Sequence, residues 1–343
     1  MNTLMLSSDN EDIGKAAEII KRGGIVAIPT ETVYGLAADA LNGDAVRKIF
    51  KAKGRPMDNP LIVHISDISQ IYSLVREFPR KAEILAEKFW PGPLTIILPK
   101  SDIIPDEVSA GLDTVAIRFP SHKTAQKLIS LSSPLAAPSA NLSGSPSPTT
   151  LRHVYEDMNG RADAIIDGGD CEVGVESTVI TLASDIPTLL RPGGITAEQL
   201  RSTIGEIKVA DAVTQPLGDG EKAASPGMKY KHYSPKAEVI LLDGENEEFY
   251  GYINGIKDRN AAVLCYSEDM ENIALPCIPI GKKYDYSEQA HLLFTALRKA
   301  DEAGFDTIYA RCPEKKGVGL AVYNRIIRAA GFNIIPLKGD ENV

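Results

Sequence analysis

Apolar side chains recur at helical spacing over residues 10–22, where Ile13, Ala16, Ala17 and Ile20 share one face and Gly23-Gly24 follows as a stop. The period then changes. IVAIP at 25–29 is a short apolar run of the kind that makes a buried strand. GDAVRKIFKAKG at 43–54 returns to helical spacing, with Val46, Ile49 and Phe50 inward, the basic residues outward and Gly54 closing it. Strands are predicted at 61–65, 94–100, 114–119, 135–138, 164–167 and 177–182, and helices near 67–77, 79–89, 122–132, 149–158 and 196–203. Strands interleaved with helices predict an α/β domain over 1–210, with mixed strand directions allowed.

The alternation stops at 211–236. DAVTQPLGDGEKAASPGMKYKHYSPK holds three prolines, three glycines and few aliphatic side chains, which reads as a linker. Lys229, Tyr230, Lys231, His232 and Tyr233 crowd donors and aromatics into five residues, more than a passive tether carries. Strand patterns resume at 238–243, 261–266 and 306–311, separated by helical stretches at 246–257, 287–303 and 319–330. These predict a second, smaller βαβ domain over 237–343 with a parallel sheet.

Composition narrows the class. Hydrophobic residues make up 43% and charged residues 24% of 343, which fits two ordinary folded domains. No apolar run approaches the roughly 20 residues that span a bilayer, so no membrane association is expected. The N-terminus carries acids early and lacks a basic stretch, unlike a signal peptide. Four scattered cysteines without a CxxC pair speak against zinc and disulfides and fit a reducing cytoplasm. A net charge of −9 argues against a surface that coats nucleic acid. Five basic residues without an acid between Arg47 and Arg55 point instead to a confined anion site, or to a solvated helix face.

Candidate chemistry gathers at strand and helix ends. There is no GxxxxGK[ST] loop, no HExxH and no GxSxG elbow, so a nucleotide would be held by an unusual route. PTETVYGL at 29–36 leaves a strand, turns at Gly35 and presents Thr30, Thr32 and Tyr34 as hydroxyls. Lys53 and Arg55 flank a glycine at a helix end, and two such cations suit a polyphosphate. His64 alternates with Ile62 as a half-buried strand residue. In APSANLSG (137–144), Ser139, Asn141 and Ser143 alternate with small residues, leaving room for phosphate oxygens or a metal-bound water. Ser177 and Arg191 stand at further strand ends. Arg118, inside the apolar strand TVAIRF, is either paired structurally or anchors a ligand carboxylate.

Taken in order, PTETVYGL, Lys53/Arg55, Ser139/Asn141, STV at 177–179, RPGG at 191–194 and SPGMKYKHYSP at 225–235 resemble the long two-domain form of the YrdC/Sua-five family of threonylcarbamoyl-AMP synthases. The resemblance covers essentially the whole chain. It implies a twisted α/β sheet with a concave cavity, followed by a smaller Rossmann-like domain. It also implies synthesis of threonylcarbamoyl-adenylate from L-threonine, bicarbonate and ATP, with Mg2+ accompanying ATP. Thr32, His64, Arg118, Ser139 and Ser177 would surround threonine, with Arg118 on its carboxylate. Arg55, Asn59, Thr114, Asn141, Thr149, Arg191 and His232 or Tyr233 would hold ATP, with Lys53 beside Arg55 on the phosphates. By its own composition, rich in cations and aromatics between two folded units, the segment 225–235 is expected to be a lid over both substrates, or else a linker that merely docks the second domain. A downstream tRNA threonylcarbamoyl transferase complex is the implied partner. A YrdC-like module that binds RNA without chemistry is the alternative, and weak RNA binding is compatible with either.

Overall fold

The computed structural model of the chain describes residues 2–216, 218, 233–258 and 260–337. They form two compact units. The first is built of residues 2–143 and 147–213; residues 144–146 and 214–216 and the chain from 233 onward belong to the second.

The first unit is an eleven-stranded mixed sheet. Its order is Leu4–Leu6, Ala164–Ile166, Val26–Ile28, Gly35–Asp39, Leu135–Ala136, Ile62–His64, Thr114–Arg118, Leu94–Pro99, Thr178–Thr181, Thr188–Arg191 and Lys208–Val209. Strands such as Val26–Ile28 are buried at every position, because helices cover the sheet. The helix Asn10–Lys21 starts at Asp9, whose carboxylate accepts from the Asp12 N–H, and buries Ile13, Ala16, Ala17 and Ile20. The helix Gly43–Lys53 buries Val46, Ile49 and Phe50 and ends at Gly54, which is left-handed with φ 63°. There the Arg55 N–H reaches back to the Phe50 carbonyl at 3.0 Å, closing the helix with a fixed turn.

Three expectations need correction. Gly35 is not a turn residue but the first residue of a strand antiparallel to Val26–Ile28, so PTETVYGL is the excursion between two paired strands. The helix expected at 67–77 is a 3-10 turn, Ile68–Gln70, and a single helical turn, Ile71–Leu74. It ends because Val75 turns extended and bridges to Lys100. The short strands Leu4–Leu6 and Lys208–Val209 were not expected. Asp211–Val213 form a further 3-10 turn with Ala212 and Val213 buried.

The second unit is a five-stranded, all-parallel sheet in the order Cys277–Pro279, Ala261–Cys265, Thr307–Arg311, Glu238–Asp243, Ile334–Pro336. The helices Asn246–Gly255, Tyr286–Ala303 and Gly319–Ala329 match the predicted stretches, whereas Cys277–Pro279 and Ile334–Pro336 are additional edge strands. No helix among the described residues is long and apolar enough to cross a membrane.

Candidate active site

Sheet register assembles half of the site. His64 is paired with Arg118, Arg118 with Thr95, Thr95 with Val179, and Val179 with Arg191, on five neighbouring strands. Register partners project to one face, so residues far apart in sequence form a single row across the sheet. Hydrogen bonds tie the row together. The Thr95 and Ser177 hydroxyls lie 2.7 Å apart. Arg191 donates from Nε to the Ser177 carbonyl (3.0 Å) and from Nη2 to its Oγ (3.1 Å). The row is dry: Thr95, Ser177, His64, Arg118 and Arg191 are at most 5% exposed.

Glu31, carried by the excursion after Val26–Ile28, meets Arg118 at 2.8 Å. Arg118 is therefore paired with a protein carboxylate, one of the two outcomes its sequence position allowed. Apart from that contact between Nη2 and Oε1, Oε2 of Glu31 and Nε of Arg118 are buried without an aligned hydrogen bond among the described residues. Burial works to raise the Glu31 carboxyl, but the Arg118 charge and hydrogen bond outweigh it and hold it below the ordinary value. Thr32 sits next to this pair, fully buried, its hydroxyl 2.9 Å from that of Thr30. Burial, and the Arg118 charge beside it, push the His64 imidazole down to about 3, so it is neutral at ordinary pH. Its Nδ1 lies 3.1 Å from the Ile62 carbonyl.

The second half of the site is a backbone clamp. Lys53 is 3% exposed and donates to the carbonyls of Ser139 and Asn141 and, at 3.2 Å, to Oδ1 of Asn141. The Ser143 N–H returns a bond to the Lys53 carbonyl at 2.9 Å. Lys53 thus fixes the Ser-x-Asn loop rather than standing open beside Arg55. Burial first, and then Arg55, drive its ammonium well below the ordinary lysine value. Arg55 is half-buried and donates to the carbonyls of Asn59 (3.3 Å) and Pro60 (3.4 Å). The Asn59 Oδ1 is buried without a hydrogen bond among the described residues. A bridge between Gly35 and Ser139, and the Ala140 N–H on the Tyr34 carbonyl, join this loop to the excursion that carries Thr32 and Glu31.

The remaining candidates fall elsewhere. Thr114 begins the strand that Arg118 ends, roughly 13 Å away at about 3.3 Å per residue, on the same face. The Thr149 hydroxyl lies 3.5 Å from Nδ1 of His153. Tyr34 is not presented to a ligand: it is fully buried and its hydroxyl donates to the Gly169 carbonyl at 2.8 Å. The basic cluster also divides, because Arg47 pairs with Asp44 and Glu107 and Lys48 donates to the Gly23 carbonyl. His232 and most of the linker motif lie outside the described residues. Tyr233 is the one residue of that motif's Lys229–Tyr233 run that is described. It belongs to the second unit, 4% exposed, with its ring 5.3 Å from that of Phe294.

Glu31 and Thr95 were not singled out from the sequence. Glu31 had a signal in a carboxylate inside an otherwise apolar and hydroxylic stretch, but Thr95 in LTIILPK looks like any strand threonine.

Known proteins share the sequence pattern and the fold. The Sua5/YciO/YrdC family model, described as telomere recombination, matches residues 18–193. A model described as the C-terminal domain of threonylcarbamoyl-AMP synthase matches residues 195–331. The threonylcarbamoyl-AMP synthase of Pyrococcus abyssi is 48% identical over 332 residues, 93% of this chain and 94% of that protein. The Bacillus subtilis synthase is 48% identical over 335 residues, covering 96% of each chain. The crystal structure of P. abyssi Sua5 complexed with L-threonine superposes with a TM-score of 0.89 at 46% identity, over 98% of this chain and 99% of that one. With both family models matched in order and relatives alike along nearly their whole length, this chain belongs to the threonylcarbamoyl-AMP synthase family, in its long two-domain form.

Proposed function

We propose that the chain joins L-threonine, bicarbonate or CO2, and ATP into threonylcarbamoyl-adenylate with release of pyrophosphate. The observation that carries this is a buried row of hydroxyls and guanidinium groups on neighbouring strands, tied together by hydrogen bonds. Within it the Glu31–Arg118 ion pair leaves Oε2 of Glu31 and Nε of Arg118 without a hydrogen bond among the described residues. Buried polar groups without partners are costly, and a ligand that supplies them removes the cost.

In this reading threonine lies on the sheet row. Arg118 takes its carboxylate in exchange for Glu31, and Thr32, His64, Ser139 and Ser177 complete the pocket. The amine adds to CO2 and loses a proton, giving a carbamate. A carbamate oxygen then attacks the α-phosphate, and the bond to pyrophosphate breaks. Arg191 bonds Ser177, so the threonine row and the ATP side meet at that contact. Arg55, Asn59, Thr114, Asn141 and Thr149 hold the nucleotide, Arg55 meeting its charge while Lys53 keeps the Ser139–Ser143 loop in place. Fixed donors stabilise charge that grows on phosphate oxygens without reorganising, and a dry site protects the carbamate from water.

Mg2+ enters as the ATP complex. No group of three or more His, Cys, Asp or Glu side chains that could hold a metal ion occurs among the described residues. Asn141 and Ser143 are neutral oxygen-bearing side chains that could hold an ion carried in on the phosphates, which would supply charge neutralisation there. The adenylate is then consumed by a tRNA threonylcarbamoyl transferase complex. A module that only holds RNA is not favoured, because groups no more than 5% exposed suit a small ligand and not a polymer backbone.

Incubation with ATP, bicarbonate and labelled threonine tests this. Labelled adenylate and stoichiometric pyrophosphate are expected; binding of threonine and ATP without either product would refute the reading.

A further inference from the structure

The second unit carries a polar cavity of about 510 Å3, lined by none of the residues assigned above to the synthase reaction. It lies where the strands Glu238–Asp243, Ala261–Cys265 and Thr307–Arg311 end, and Asp243, Tyr266 and Arg311 line it. All five strands run parallel, so these are carboxyl ends of an open α/β sheet, the edge at which such sheets hold ligands. Position alone would not make it a site.

Arg311 supplies the independent observation. It is the last residue of the central strand and is 4% exposed. Its guanidinium lies 4.4 Å from the ring centroid of Phe249. Nη2 donates to Oδ1 of Asn246, and Nε stands 3.6 Å from Oδ2 of Asp269. Nη1 is buried and has no hydrogen-bond partner among the described residues. Asp269 does not fill that need. Its Oδ1 accepts from the Tyr250 hydroxyl at 2.8 Å and its Oδ2 from the Tyr266 N–H at 3.1 Å, so it orients the arginine from one side. A guanidinium clamped on an aromatic face with one edge unfilled has the geometry to take an oxyanion.

The rest of the lining is mixed in charge. Lys283 and Lys315 add cations, and Asp243, Glu245 and Glu314 add carboxylates. Lys315 is 3.7 Å from Asp243, and Lys283 is 3.3 Å from the same Asn246 oxygen that Arg311 uses. Cations alone would suit bare phosphate; acids beside them also ask for donors.

We propose that this cavity binds a small polar metabolite whose carboxylate or phosphate sits on Arg311 and Lys283. Its hydroxyl or ammonium groups meet the carboxylates opposite. The proposal uses none of the residues assigned to the synthase chemistry and stands whether or not that chemistry is as described.

The test uses the full chain with 15N-labelled arginine, titrated with inorganic phosphate and, separately, acetate. The Arg311 Nε–H signal, identified by its absence from Arg311→Met, should shift saturably with at least one probe. Phosphate alone moving it assigns a phosphate-bearing ligand, and acetate alone a carboxylate-bearing one. Lys283→Ala, a half-buried position that leaves the fold intact, should weaken the response severalfold; this holds the test open if Arg311→Met fails to fold. No saturable shift with either probe, or an unchanged dissociation constant in Lys283→Ala, overturns the proposal.

Discussion

Two buried cations in the first unit do opposite work. Lys53 spends its three donors on the Ser139–Asn141 loop and is fully occupied by the protein. Arg118 touches one carboxylate, Glu31, through Nη2 and keeps Nε without an aligned partner among the described residues. The first is a clamp that shapes backbone; the second is a pair that a substrate carboxylate can open. Burial depth does not separate them, since they are 3% and 4% exposed. Saturation of their hydrogen bonds does.

The comparison predicts its largest effect in amino-acid choice. A site that bonds the β-hydroxyl with buried groups such as Thr32 and Ser177 rejects an analogue lacking it by roughly 10^4-fold, whereas a missing methyl costs about 10- to 200-fold. Valine should be discriminated against far more than serine in kcat/KM for pyrophosphate release. Comparable use of valine and threonine would remove Thr32 and Ser177 from the pocket.

Next in size is Glu31→Gln. It keeps the shape of the residue but leaves the buried Arg118 uncompensated, a loss of about 3–5 kcal/mol in urea unfolding. Because the competing carboxylate is gone, threonine should bind more tightly. Weaker threonine binding would mean that Glu31 meets the amine and not that Arg118 is released to the carboxylate.

Arg55→Ala should then lower activity roughly ten- to a hundredfold, the worth of about 1.5–3 kcal/mol for a charged contact, with no change in the unfolding midpoint. Full activity would show that phosphate charge is met elsewhere.

A further effect, spread over a range of pH, comes from His64. His64 has a folded value of about 3 against an ordinary 6.5, so between these values the unfolded chain binds the proton and the folded chain does not. Its contribution is present above pH 6.5 and is lost as pH falls toward 3, at roughly 1.4 kcal/mol per unit. His64→Gln should flatten the fall of unfolding free energy between pH 6.5 and 4.5; an unchanged slope would mean His64 takes up a proton in the folded protein.

Local patterns carried much of this architecture. The helix Gly43–Lys53 and its glycine stop were readable because capping and apolar spacing are local. So were the fully buried strands. The Lys53/Arg55 pair was visible as charge, but its division of labour was not. That depends on the Ser139–Asn141 loop, 86 residues on from Lys53 at its nearest contact. The row His64–Arg118–Thr95–Arg191 was hidden for the same reason. It exists only once five strands are ordered, and strand order is set by tertiary packing that no window of sequence contains. Two-residue strands such as Lys208–Val209 are too short for any period to register.

The most direct test of the account is a steady-state comparison of Lys53→Met and Arg118→Lys, with pyrophosphate release followed at varied threonine and at varied ATP. The clamp should fail on both substrates and the exchangeable pair on one. Lys53→Met releases the loop that carries both Ser139 and Asn141, so it should lower kcat and raise KM for ATP and for threonine, and Arg118→Lys should raise KM for threonine at unchanged KM for ATP. Equal changes in both constants for both variants, or the reverse assignment, would contradict it.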